Sequence, residues 1–300
     1  MEIRIPDGIF IGHADNDRTG VTVILAPDGA VCGADVRGGA PGTRETDLLR
    51  PEKTVDRVNA VVLAGGSAYG LESCCGVMHF LRERNKGYAM GDKVVPIVCG
   101  AVIYDLLGDG YAFPDTAMGY AACENALGGT IPVWGRTGCG KGATVGKMLG
   151  AGYAQPGGIG AATVCAGDAY VTAVIAVNAC GDIYKDGRIV AGTRSPAGGF
   201  ADACALLLRG GRPLSGAGQN TTIGCLVTNA RLDKTGVNKL ASRAHDGLAR
   251  AIRPVHTDYD GDTLFAMSAG CVSADSNALS VAATEAVEKA VVAAVDHAGH

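Results

Sequence analysis

Apolar, β-branched runs punctuate the chain at residues 21–25, 60–63, 94–98, 170–177, 221–228 and 264–267. Each is short and reads as a strand candidate. Between them, residues 69–84, 115–127 and 200–208 predict helices. The clearest helical periodicity comes late. In 234–252, Val237, Leu240, Ala241, Ala244, Leu248 and Ile252 form one stripe, and Asp233 stands where a cap belongs. In 275–296, Leu279, Ala282, Ala283, Ala286, Val287, Ala290, Val291 and Ala294 repeat the pattern, with Glu285 and Lys289 four apart on the polar side. Strands and helices are mixed, mostly without regular βαβ spacing. This predicts an α/β protein of the layered α+β kind, sheets covered by helices, rather than a doubly wound parallel sheet.

The marked break in this pattern is 209–220, RGGRPLSGAGQN, a Gly, Pro and Ser-rich loop abutting the strand candidate TTIGCLVT. Composition refines the picture. Glycine contributes 46 of 300 residues, about twice the usual ~7%, which points to close backbone packing and tight turns. The 11 cysteines include no CxxC pair, so buried thiols in a reducing compartment are predicted, with neither a disulfide framework nor a zinc site. A net charge of -4 without a basic block argues against nucleic-acid or anionic-membrane partners. The start, MEIRIPDGIFIG, lacks a signal-peptide pattern, and no apolar run reaches the ~20 residues of a membrane span. A cytoplasmic protein without membrane or cofactor partners is expected.

Three familiar motifs fail. GRTGCGKG (135–142) follows a phosphate-binding loop until Gly142, which stands where a Ser or Thr hydroxyl would hold Mg²⁺. GGSAYG (65–70) resembles a nucleophile elbow around Ser67, but Tyr69 occupies the second glycine position, so Ser67 reads as a helix-start or backbone-binding residue. The histidines at 13, 79, 245, 256, 297 and 300 have no metal-ligand spacing; none is assigned to catalysis, and His245 reads as exposed or locally bonded.

The remaining constellation is NTTIGCLVTNARL (220–232), accompanied by GGAPGTRETDLL (38–49), VVLAGGSAYGLE (61–72), KGATVGK (141–147), AVNACGDI (176–183) and HDGLARAIRPVHTDYDGDT (245–263). Taken in this order across nearly the whole chain, these segments resemble the self-cleaving hydrolases that include L-aminopeptidase/D-esterases, β-aminopeptidases and nylon-oligomer hydrolases. The resemblance implies an αββα sandwich and a single catalytic domain, 1–300. It also implies self-cleavage between Asn220 and Thr221, giving fragments 1–220 and 221–300 with Thr221 as the nucleophile. The chemistry is coherent: an internal threonine has no base of its own, whereas a free α-amine of pKa ~7.7–8.0 on the same residue supplies one.

By the same resemblance, Asp260 and Asp262 orient the N-terminal threonine. β-Aminopeptidases carry serine and glutamate in that region, so the aspartate pair places the chain nearer the nylon-oligomer branch. Lys147 matches an active-centre lysine, and is preferred to Lys141 because the family segment ends in VGK. Its charge would favour the neutral amine, while the carboxylates act oppositely. Asn178 matches the residue whose amide stabilises the oxyanion, and Tyr104 is a pocket candidate. The implied substrates are short peptides or small amides bearing an amine; a homo-oligomer, dimer or tetramer, is implied too. Alternatives are acyl transfer of the ornithine acetyltransferase type, nucleotide binding at 135–142, and a homologue that never cleaves.

Overall fold

The computed structural model describes residues 2–129, 132–214 and 219–298. Its fold is carried by strands β1 (Phe10–Asp15), β2 (Gly20–Val36), β3 (Arg57–Ala64), β4 (Val98–Val102), β5 (Gly158–Ala166), β6 (Ala169–Asn178), β7 (Thr221–Ala230) and β8 (Thr263–Val272). They hydrogen-bond in the order β5-β6-β7-β8-β2-β3-β4, with Thr43–Arg44 beyond β4 and β1 beside β2. The long strand β2 serves two sheets. Its residues 20–25 pair with β1 and β3, Ala30 and Val31 pair again with β3, residues 31–36 pair with β8, and the register slips between Leu25 and Ala30, across Pro27-Asp28-Gly29. This irregularity lets the ladder fold over on itself.

Side-chain alternation then defines the layers. Ile24, Val61 and Leu63 from one half pack with Val174, Ile223, Cys225 and Phe265 from the other, forming the core between the sheets. The alternate residues Val21, Val23, Leu25 and Val62 face outward against Val77, Phe80 and Leu81 of α1 (Ser73–Glu83) and Ala122 of α2 (Thr116–Leu127). On the opposite side, Ile175, Val177, Leu226 and Leu264 meet Val237, Leu240 and Leu248 of one helix and Leu279, Val287 and Val291 of another. The result is an αββα sandwich. Strands apolar on both faces explain the continuous hydrophobic runs in the sequence.

The two late helices are those expected from periodicity and run over Lys234–Ala251 and Ser276–Asp296. Asp233 caps the first by accepting from Gly236 N–H at 2.7 Å, and Lys289 reaches Glu285 on the second at 3.2 Å. A shorter helix, α3 (Ala203–Leu208), precedes them, so these two become α4 and α5. Two crossovers are parallel, β3 to β4 through α1 and β7 to β8 through α4; the other long pairings are antiparallel.

Several boundaries differ from the sequence expectation. Residues 94–98 are not one strand: Lys93–Val95 closes a small hairpin with Tyr88–Met90, and β4 begins at Val98. Pro96, which has no N–H to give a ladder, lies between them. The helix expected at 69–84 begins as a 3-10 turn, Ser67–Glu72, and the one expected at 200–208 is shortened to α3, where Asp202 caps Ala205 N–H. Strands β1 and β5 had no expectation at all.

Candidate active site

Strand order brings the candidate residues together. β7 is central, flanked by β6 and β8, and its first residue Thr221 lies opposite Asn178, the last residue of β6. Because β8 runs parallel to β7, the segment entering β8 arrives at the same end, and Asn220 bridges to Asp260 there. Sequence positions 178, 221 and 260–262 therefore meet at one end of the central strands.

Thr221 is buried, and its hydroxyl donates to the carbonyl of Asn220. That carbonyl also accepts the Gly261 N–H at 3.0 Å. Asp262, 1% exposed, accepts Thr222 N–H on Oδ1 at 2.6 Å. Its Oδ2 accepts His256 N–H at 3.0 Å and contacts His256 Nδ1 at 2.8 Å. Asp260 Oδ2 accepts from Thr257 N–H at 3.1 Å and the Thr257 hydroxyl at 2.5 Å. Burial, reinforced by the neighbouring Asp262 charge, pushes the Asp260 carboxyl up to about 6.

On the other side, Lys147 Nζ donates to Asn178 O (2.9 Å), Asn178 Oδ1 (2.7 Å) and Gln219 O (3.1 Å). Asn178 Nδ2 donates to Tyr104 O at 2.9 Å and Gln219 O at 3.4 Å, while its Oδ1 also accepts Thr144 N–H at 3.0 Å. In the continuous chain the Asn178 amide thus grips the carbonyl one residue before Asn220. Burial pulls the Lys147 ammonium down to about 7, against the opposing pull of Cys180, Asp260 and Asp105. This lysine can therefore lose its proton near neutrality. A cavity of about 190 Å³ opens beside it, lined by Tyr104, Leu107, Thr144, Leu214 and Gln219 among others.

The discarded motifs have structural roles. In the near phosphate loop, Asp15 Oδ2 accepts from Gly138 N–H at 2.7 Å and the Thr137 hydroxyl at 2.9 Å, and Lys141 pairs with Asp15 at 3.5 Å. The chain's own carboxylate engages these groups, and Lys141 makes its ion pair there. Ser67 opens its 3-10 turn at φ +53 with its N–H on Ile103 O. Among the described residues, no cluster of three His, Cys, Asp or Glu side chains is arranged for a metal ion, and no helix is long and apolar enough to cross a membrane.

Sequence reasoning missed three residues here. His256 contacts Asp262. His245, expected to be exposed or locally bonded, is fully buried, bonded through Nε2 to the Asp35 carbonyl and set edge-on against His256. Asp105, buried with Oδ1 on Gly66 N–H at 2.6 Å, lends its field to Lys147. The only available signal was the short separation of His256 from Asp260 and Asp262 in one polar loop.

This arrangement of β layers between helix layers is shared with solved structures. A Burkholderia sp. beta-aminopeptidase superposes with a TM-score of 0.70 at 22% identity, covering 97% of this chain and 89% of that one. The L-aminopeptidase D-Ala-esterase/amidase of Ochrobactrum anthropi, described as a variant of the Ntn hydrolase fold, gives 0.67 at 22% identity, covering 96% and 84%. The chain belongs to peptidase family S58, whose profile matches residues 6–300. An uncharacterized aminopeptidase of Mycobacterium leprae (strain TN) is 42% identical over 90% of this chain and 79% of its own length. A 6-aminohexanoate-oligomer endohydrolase of Kocuria sp. (strain KY2) is 37% identical over 96% and 84%. The protein is accordingly a hydrolase of peptide or amide bonds.

Proposed function

We propose that the protein is an autoprocessed amide hydrolase whose nucleophile is Thr221, freed as a new N-terminus when the Asn220-Thr221 bond breaks. One observation carries this reading. The Thr221 hydroxyl is buried at the head of the central strand, bonded to the Asn220 carbonyl, between Lys147 and Asn178 on one side and Asp260 and Asp262 on the other.

In the first stage Thr221 Oγ1 bonds to the Asn220 carbonyl carbon, the C–N bond breaks, and the hydroxyl proton leaves with the departing amine. Water then hydrolyses the resulting ester, releasing Asn220 as a carboxylate and regenerating the hydroxyl. Gly261 N–H is placed to receive the developing oxyanion of this stage. In the second stage the free Thr221 amine accepts the hydroxyl proton, Oγ1 takes the acyl group of a substrate amide, and water releases it. With Gln219 and Asn220 displaced after the cut, the Asn178 amide loses the Gln219 carbonyl and can serve the substrate's oxyanion. The substrates are short peptides or small amides bearing an amine, in keeping with aminopeptidase and oligomer-hydrolase relatives. Tyr104 borders their entry.

Intact mass and N-terminal sequencing of the purified protein test the reading, with Thr221→Ala alongside. A fragment beginning at Thr221 is expected from the wild type, and an uncut 30.3 kDa chain from the variant. A fragment beginning at Thr222, or cleavage that survives the substitution, would overturn it.

A further inference from the structure

Asp262 is held by more than the strand it precedes. Its Oδ2 receives the His256 main-chain N–H at 3.0 Å and lies 2.8 Å from the ring Nδ1 of the same residue. A carboxylate oxygen only accepts, so a neutral ring making this contact carries its proton on Nδ1. His256 adopts φ +56, a left-handed conformation uncommon for a residue of this size, and in it amide and ring converge on one oxygen. Behind the ring stands His245 of α4, with centroids 4.7 Å apart and planes at 67°. His245 is itself anchored by Nε2 on the carbonyl of Asp35 at 3.1 Å. Burial pulls His245 down to about 4, so its ring is a neutral wall at neutral pH.

Asp262 Oδ1, in turn, holds the Thr222 amide at 2.6 Å, one residue past the proposed nucleophile. The chain of contacts runs from α4 through His245, His256 and Asp262 to the head of β7. We propose that His256 is a positioning residue: its Nδ1–H fixes the Asp262 carboxylate so that Oδ1 seats Thr222, and with it the Thr221 hydroxyl, against the Asn220 carbonyl. The inference rests on Thr221 being the nucleophile. It gives a role to a histidine that never touches the reacting atoms.

Two substitutions separate this role from simple bracing of the loop. His256→Gly tolerates the positive φ and keeps the main-chain donor but removes the ring. His256→Asn also tolerates that φ and places a side-chain N–H near the former Nδ1. Cleavage at Thr221 is followed in full-length chains, with thermal melts as the folding control. His256→Gly should process roughly ten- to a hundredfold more slowly, the scale of a lost hydrogen bond to a charged group. His256→Asn should stay within a few-fold of wild type, and added imidazole should speed the Gly variant. Wild-type speed in His256→Gly, or equal slowness in a well-folded His256→Asn, would overturn the proposal.

Should the Gly variant fail to fold, His256→Asn is set against His256→Gln, whose amide reaches the Nε2 position instead. A fast Asn and slow Gln variant support the role, and equal rates refute it. A further measurement is independent of cleavage. Long-range ¹H–¹⁵N spectra of the Thr221→Ala chain should show the His256 ring protonated on Nδ1, and an Nε2–H tautomer would sink the contact. A wild-type chain that is never cut at Thr221 would defeat the nucleophile assignment, while the ring spectrum still decides His256.

Discussion

At the scale of single residues, Lys147 is a buried cation whose surroundings change its proton affinity. Its ammonium satisfies three oxygens, yet burial outweighs the nearby carboxylates and brings it from 10.5 to about 7. Between those values the unfolded chain holds a proton that the folded chain does not, so this residue makes stability rise with pH from about 7 towards 10.5. Asp260 has the opposite slope: its acid form persists in the folded chain up to about 6, so its contribution falls as pH rises from 3.8 through that value. Urea midpoints at two alkaline pH values within the lysine window test the first statement. Thr221→Ala and Thr221→Ala/Lys147→Met are compared, both uncut. Removing Lys147 should flatten the rise, and parallel slopes in the two chains would refute the assignment. The comparison uses slopes because Lys147→Met also abandons three carbonyl or amide oxygens, which shifts absolute stability by itself.

Among the elements, glycine decides how closely helices approach the sheets. A Cβ on Gly160 of β5 would run into the backbone of α5 at Ala290 and Ala294, and one on Gly12 of β1 into that of α2 at Ala122 and Ala126. Gly160→Ala should therefore cost about 1–3 kcal/mol by overpacking, measured by urea denaturation. Gly152→Ala, where nothing lies within 4 Å, should be near neutral; equal effects at both sites would refute the close-approach argument. These glycines also explain what the sequence hid. Strands rich in Val, Ile and Leu, and the α4 and α5 stripes, were legible because burial on a periodic surface leaves a pattern. β1 and β5 were not, because FIGHAD and GIGAATVCA exchange β-branched side chains for helix contact. The site was legible only in part. Thr221, Lys147, Asn178, Asp260 and Asp262 stood out through resembling segments, whereas strand register, which sets Asn178 opposite Thr221, has no sequence signature. His256 sat in a polar loop without periodicity, where nothing local distinguishes a brace from a solvated side chain.

For the whole molecule, the proposed cut falls at an unusual place, the entry to the central strand of the β5-to-β8 layer. Residues 1–220 would keep β1 to β6 with α1 to α3, and residues 221–300 would carry β7, α4, β8 and α5. No boundary between layers separates these parts. β7 pairs with β6 along residues 171–178, β8 pairs with β2, and Ile223, Cys225, Phe265 and Met267 fill the core between the sheets. On the outer face, α5 buries Leu279, Val287 and Val291 in a cluster shared with Val171 and Ile175 of β6. Each fragment alone would expose most of that apolar surface, at roughly 25 cal/mol per Å², so cleavage should change covalent connectivity without releasing either part. Cut protein should elute from a native sizing column as one species containing both fragments and part into two only in denaturant. Refolding then supplies the stricter test. The strand order requires 221–300 to insert its β7–β8 pair between β6 and β2, so neither fragment refolded alone should show a cooperative melt, whereas the pair refolded together should recover one. An independently stable 221–300 fragment would contradict this interleaving.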